Sequence, residues 1–338
     1  MKKDCIAIDI GEDYIKIIYG SQNKIKNFGL IRTPKDSIVD DKIVNDQIIQ
    51  DIIKKYILDN NIKKKDVLFS IHGQDVIVRH LEIPLMDEKN IKDSIDWETK
   101  QYLPDYGNNH YIDFEILDKI NTEEEKIFKI LVVAVPKEKV DILYKITKDI
   151  DLNLVAVDLT ANAISRVFRN IKDYPNSCGI IEIGASSSIL MVLENGKLII
   201  EREIPTGLFS FLGEISKDET LAAGEAYEYL TKRFNIANVN EKNEKDKNIY
   251  NKIESLCESY SKIIQFYTNG KVKKTIDKIY ITGSGNVIGG LERYASNYFN
   301  TSIDIVKSAS QFGLKMEIPQ ELDFKYFTSC VGLLLRKE

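Results

Sequence analysis

Residues 5 to 19 read CIAIDIGEDYIKIIY. A β-branched run ends on an acid, a glycine follows two residues later, and a second run carries the chain back. This is a strand, a glycine turn and a returning strand. In a strand, acid and glycine at that spacing face the same side. A tight glycine turn concentrates backbone N–H groups and has no Cβ to keep an anion away. A carboxylate at the strand end can hold Mg2+ through waters, because that ion dehydrates reluctantly. Asp9-Ile10-Gly11 is therefore a candidate phosphate turn, with Glu12 and Asp13 beside it. Lys16 sits five residues past the glycine on the returning strand, where its ammonium can approach a phosphate as a point charge.

The pattern recurs at 179 to 193. A strand ends in Glu182-Ile183-Gly184, the turn continues through Ala185 and Ser186, and a strand returns from Ile189 to Leu193. One such turn is a weak signal; two, at a separation suited to duplicated lobes, form an internal repeat. A third element, Gly283-Ser284-Gly285, follows the strand Lys278 to Thr282 and opens a helix whose N-terminus suits a ribose or an α-phosphate. There is no GxxxxGK[ST] loop, and the glycine spacing at 283 to 289 is wrong for a dinucleotide fold. No nucleophile elbow or Ser/His/Asp triad is present, and no catalytic residue is assigned.

Working outward, helical spacing covers 42–59, 90–102, 137–149, 160–171, 249–269, 289–299 and 327–335. Strands are expected at 67–71, 76–83, 111–117, 127–135, 155–158, 197–204 and 303–306. The tract at 238–248, NVNEKNEKDKN, reads as a solvated loop. The expected organisation is a first lobe from 1–83 with 151–175, interrupted by an inserted α+β subdomain at 84–150. The second lobe is expected from 176–207 with 275–338, carrying a helical, variable subdomain at 208–274.

The chain has 338 residues, 43% hydrophobic and 29% charged, with a formal net charge of -5. That is enough for two cores, and the acidic balance argues against nucleic acid as a partner. Nothing approaches the roughly 18 to 20 apolar residues of a membrane span, so a cytoplasmic protein that meets the membrane only through a partner is expected. Cys5, Cys178, Cys257 and Cys330 lie far apart and read as small core residues. His72, His80 and His110 are too scattered to suggest a metal site, and structural roles are expected of them.

Residues 5–19, 179–193 and 278–290 resemble the phosphate 1, phosphate 2 and adenosine motifs of the actin/Hsp70/FtsA superfamily. Further segments resemble the type IV pilus assembly protein PilM family within it. These are Ile95 to Pro104 (IDWETKQYLP), Val157-Asp158-Leu159 with Ala163 and Arg166, Arg202 to Gly207 (REIPTG), and Gly332 to Arg336 (GLLLR). The resemblance implies an α/β fold of the actin/Hsp70 (RNase H-like) type, two duplicated lobes with an FtsA-like α+β insertion. It implies ATP with Mg2+ in the interlobe cleft, held by Asp9, Gly11, Glu12, Asp13, Lys16, Glu182, Gly184, Ala185, Ser186, Gly283, Ser284 and Gly285, the ion at Asp9 and Glu182. It also implies a partner, the cytoplasmic N-terminal tail of PilN, in a groove near the insertion, together with other proteins of the pilus platform. Trp97, Tyr102 and Leu103 are the candidate apolar anchors for that tail, although the insertion's own core is the plainer reading for them.

Two classes of function follow. One is a nucleotide-holding scaffold with weak or no ATPase activity. The other is an FtsA-like division protein, an active ATPase or a small-molecule kinase of the same superfamily, which would need an oriented nucleophile. Glu182 in place of the family's aspartate and the acidic pair Glu12-Asp13 weaken the phosphate grip.

Overall fold

The computed structural model describes residues 3–103, 108–123, 125–171, 174–217, 223–269, 273–316 and 318–336. Strands β1 (Cys5–Ile10), β2 (Tyr14–Ser21) and β3 (Lys24–Arg32) form an antiparallel meander. A small hairpin, β4 (Ile38–Val39) and β5 (Lys42–Ile43), leads into helix α1 (Asp46–Asp59) and strand β6 (Asp66–Ile71). The insertion comprises β7 (Ile77–Pro84), α2 (Glu88–Lys100), β8 (His110–Asn121) and β9 (Lys126–Pro136). Helix α3 (Lys137–Asp149), β10 (Asn153–Leu159) and α4 (Thr160–Phe168) complete the first lobe.

The second lobe repeats the plan with β11 (Ser177–Ile183), β12 (Ser188–Glu194) and β13 (Lys197–Ile204). Helices α5 (Leu208–Ile215), α6 (Ala223–Glu228) and α7 (Glu244–Thr268) precede β14 (Lys278–Thr282), and α8 (Leu291–Phe299) precedes β15 (Ile303–Ile305). Helix α9 (Thr328–Leu334) is the last element of the described chain. The sheet orders are β3-β2-β1-β6-β10 and β13-β12-β11-β14-β15. In both, the first three strands are antiparallel and the last two join in parallel. The duplication heard in the sequence is thus a duplication of topology.

Both sheets are covered on both faces, which is why their central strands are continuously apolar rather than alternating. On β1, Ile6 and Ile8 face the layer of α1 and α3, while the smaller Cys5 and Ala7 face α4 and α9. On β11, Ile181 and Ile183 face α5, α7 and α8, while Cys178 and Ile180 face inward. The inner cluster is shared by the lobes: α4 and α9 are sandwiched between the two sheets, packed on Leu68 and Ile18 from one lobe and Met191 and Phe312 from the other. All four cysteines are buried.

The insertion is an antiparallel sheet ordered β7-β9-β8. Helix α2 covers one face through Ile91 and Ile95, packed on Phe128, Ile130 and Val132. Its limits differ from the expected 84–150. Strand β7, from Ile77, already belongs to its sheet, whereas α3 packs Leu143 and Ile146 into the first-lobe core. Pro84 suggested a boundary, but it sits at the end of an edge strand, where the missing N–H is tolerated. Likewise, Leu208, Phe211, Leu230 and Ile253 of the region read as a separate variable subdomain lie in the second-lobe core.

Two helix starts also move. Asn45 caps α1 by accepting from the Ile48 N–H at 3.2 Å, so residues 42–43 form a strand instead. Asn243 caps α7, accepting from Lys245 N–H at 3.1 Å, so the helix begins inside the tract read as a loop. Pro104, which ends the segment Ile95 to Pro104, and residues 218–222 of the expected helical subdomain at 208–274 lie outside the described residues.

Candidate functional site: an interlobe cleft and an adjoining groove

The two glycine turns face each other across the lobes. Asp9, at the end of β1, is buried and accepts hydrogen bonds from Lys16 Nζ at 3.1 Å and from the Ser329 hydroxyl of α9. Burial works to raise the Asp9 carboxyl, but the Lys16 ammonium, the Ser329 hydroxyl and His72 together hold it below its ordinary value. Lys16 is in turn held charged against its burial by Asp9 and Glu182. Its ammonium therefore links the acids of both turns. Burial pushes Glu182 up to about 7, against the pull of Lys16 and His72.

Each turn is closed by its own backbone: Gly11 N–H donates to Tyr14 at 3.0 Å and Gly184 N–H to Ser187 at 2.9 Å. A Cβ on Gly184 would stand 2.9 Å from the Ser187 carbonyl oxygen. The second turn is braced by the start of α5, whose Leu208 and Phe209 N–H groups donate to the Gly184 and Ala185 carbonyls. The third loop leans on the second turn. Gly283 adopts φ +91°, a Cβ there would lie 2.8 Å from the Glu182 carboxylate, and Gly285 N–H donates to Ile183 at 2.8 Å. Ser284 is buried beside them.

The acidic pair after the first glycine divides its roles. Asp13 is bound by Arg32, whose guanidinium also stacks on Tyr14 at 4.5 Å, so its charge is spent on joining β2 to β3. Glu12 accepts the Asp41 N–H at 3.2 Å. Asp40 and Asp41 both take left-handed φ values at the tip of the β4–β5 hairpin, a conformation aspartate tolerates better than most side chains. This carries Asp41 into the cleft, where its Oδ1 lies 3.3 Å from His72 Nε2 and accepts from the Ser186 hydroxyl of the second turn at 3.5 Å. Glu203 of β13 accepts the Gly73 N–H at 2.8 Å from the other lobe. Burial opposes a charge on His72, but the hydrogen bond and charge of Asp41, aided by Glu203 and Asp9, push it up to about 9.

A separate groove of about 1070 Å³ runs between the insertion and the first lobe. Its floor is the face of β9 that α2 does not cover, Leu131, Val133 and Val135, with Tyr111, Asp113 and Glu115 of β8 alongside. The facing wall is β10, from Leu154 to Leu159. Both β8 and β10 are terminal strands of their sheets. Asp158 anchors the far end, bound to Arg166 at 2.6 Å and Arg336 at 3.1 Å, with Arg169 at the lip.

Trp97, Tyr102 and Leu103 do not meet this groove. Trp97 points to solvent from α2, 64% exposed, Leu103 is buried, and Tyr102 lies under the Arg79 guanidinium at 4.0 Å. Helix α2 sits on the opposite face of the insertion sheet.

The family model described as type IV pilus assembly protein PilM matches residues 7–338. The chain belongs to the PilM family. A chain solved in a PilM–PilN type IV pilus biogenesis complex is 18% identical, covering 99% of this chain and 98% of that one, with a TM-score of 0.84. MreB5 of Spiroplasma citri bound to ADP is 12% identical over 90% and 91% of the two chains, with a TM-score of 0.54. The ethanolamine utilization protein EutJ from Carboxydothermus hydrogenoformans is 13% identical over 98% and 89%, at 0.53. At such identities the likeness is one of fold, and that fold is actin-like. Two of the four PilM-like segments meet in space: Asp158, Arg166 and Arg336 form one ion network, and Gly332 crosses Ala163. Among the described residues, no helix is long and apolar enough to cross a membrane.

The structure brings all three predicted loops together, and it adds Asp41, His72, Glu203 and Ser329, which no motif announced. His72 carried one available signal, its place just past the carboxyl end of β6, where parallel sheets gather their ligands. His80 instead bridges the insertion to the second lobe, its Nε2 lying 3.3 Å from the Leu198 carbonyl oxygen.

Proposed function

We propose that this chain is a cytoplasmic actin-like scaffold of the type IV pilus inner-membrane assembly platform, reaching the membrane through its partner. In this reading it takes the N-terminal cytoplasmic tail of PilN in the groove between β8 and β10. The observation that carries it is an apolar floor flanked by two strands that are terminal in their sheets among the described residues. An extended peptide gains main-chain hydrogen bonds from such an edge and places alternate side chains on the floor. The solved complex of a PilM-family chain with PilN supports the partner. Other platform proteins would dock elsewhere on the surface.

The same proposal places ATP with Mg2+ in the interlobe cleft. The donor set fits the ion, with Asp9 and Glu182 as its holders through waters, Lys16 facing the phosphates, and the Gly11 to Asp13, Gly184 to Ser186 and Gly283 to Gly285 loops around them. When bound, the ion would offset phosphate charge, and Lys16 would add one positive charge fixed by Asp9 and Glu182. Glu12, Asp41, Glu182 and Glu203 make the cleft acidic, so the ion is needed for a polyphosphate to enter. The role of the nucleotide is structural, with phosphate release at saturating MgATP slower than the roughly 1 to 1000 per second of ordinary enzymes.

Titration of a synthetic PilN N-terminal peptide tests the scaffold. Saturable binding is expected; its absence, with and without MgATP, overturns the proposal.

A further inference from the structure

We propose that Asp41, His72 and Glu203 form a binding site for a divalent first-row transition ion at the junction of the lobes. The site is separate from the Asp9–Glu182 pair assigned above to Mg2+. Its three side chains come from three elements: the β4–β5 hairpin tip, the segment just past β6, and β13 of the opposite lobe. Their ligating atoms all lie within 4.8 Å of one another. His72 Nε2 and Asp41 Oδ1 are 3.3 Å apart, the separation of two neighbouring donors around an ion with bonds of about 2.0 to 2.2 Å.

Glu203 supplies the second observation. Its Oε2 accepts the Gly73 N–H, while its Oε1 is buried without a hydrogen-bond partner among the described residues. An orphaned buried carboxylate oxygen is costly and calls for a cation or a donor. Lys139, the nearby ammonium, is committed elsewhere. It donates to the His72 carbonyl at 2.8 Å and pairs with Asp75 at 2.7 Å, which fixes the backbone of His72 instead of filling the site. The other imidazole nitrogen, Nδ1, lies 3.5 Å from the Thr160 hydroxyl, and the ion would take the place of the Nε2 proton now shared with Asp41, releasing it to solvent.

One imidazole nitrogen and two carboxylates favour Zn2+, Co2+ or Mn2+ over Mg2+, which prefers oxygen alone. Because Glu203 belongs to one lobe and Asp41 and His72 to the other, the ion would tie the lobes together across the cleft opening.

The test uses the full chain stripped with a chelator. Titration with Zn2+ in calorimetry should saturate near one equivalent and raise the thermal midpoint, with Mg2+ unable to substitute. Glu203→Gln and His72→Ala should each weaken binding at least tenfold, with folding checked by circular dichroism. Co2+ in the wild-type chain should give d–d bands without a thiolate-to-cobalt absorption, a readout that needs no variant. No saturable Zn2+ binding, undiminished binding in both folded variants, or a thiolate band placing the ion at a cysteine would each overturn the site.

Discussion

Gly332 of α9 crosses Ala163 of α4 so closely that a β-carbon on the glycine would lie 1.8 Å from the Ala163 carbonyl oxygen. These two helices are the shared core of the lobes, so the contact fixes how the sheets meet. The obstacle is backbone, which cannot yield as a side-chain tip can. Gly332→Ala should destabilise the chain by about 3 kcal/mol, the upper range for overpacking a close contact. A thermal melt shows this as a lowered midpoint; an unchanged midpoint would mean that α4 and α9 can part freely.

Among the described residues, Lys16 is the one ammonium that Asp9 touches, at 3.1 Å, and Asp9 is 4% exposed. Lys16→Met should cost roughly 3 to 5 kcal/mol, because an uncompensated charge is left buried. Adding Asp9→Asn should recover part of that loss, since the remaining partner, the Ser329 hydroxyl, can serve a neutral amide. Denaturant unfolding of the single and double variants checks the coupling. A double variant no better than Lys16→Met would show that the pair is not the source of the loss.

His72 titrates in the direction of stabilisation by charge. Its folded-state value, about 9, lies above the ordinary 6.5, so its contribution is complete below about pH 6.5 and fades as pH rises through about 9. The rise corresponds to roughly 3 kcal/mol at most. The facing groups are Asp41, Glu203 and Asp9 as anions and Lys139 as a cation. In chelated protein, stability should fall between pH 7 and 9.5, and Asp41→Asn should flatten that slope. An equal slope in the variant would assign the loss to other groups.

The sequence carried what is local. An acid, a glycine and a returning strand are specified within fifteen residues, so both turns and their lobes were legible, as was the loop at 283–285. Capping was legible in principle, since Asn243 and Asn45 mark the starts of α7 and α1, but the polar tract before Ile249 hid the first helical turn. What stayed hidden depends on distant packing. Asp41 enters the cleft only because the β4–β5 hairpin folds over the first turn. The direction of Trp97 is likewise set by packing, since Ile91 and Ile95 turn α2 so that Trp97 faces solvent on the far side of the sheet from the groove.

Nucleotide binding should require the ion. With Asp9, Glu12, Asp41 and Glu203 around the two turns against Lys16 and His72, free ATP meets an excess of carboxylates at short range, where screening by salt is weakest. Fluorescent ATP analogue binding should be lost in chelator and restored by Mg2+. Equal affinity in both conditions would contradict the acidic reading of the cleft.

Amide hydrogen exchange of the full chain, with and without the PilN N-terminal peptide, reads the partner site directly. Strand addition predicts slowed exchange at 111–115 of β8 and 154–158 of β10, with α2 unchanged. Protection confined to α2 around Trp97, or none at either edge strand under saturating peptide, would contradict the groove as the seat of recognition.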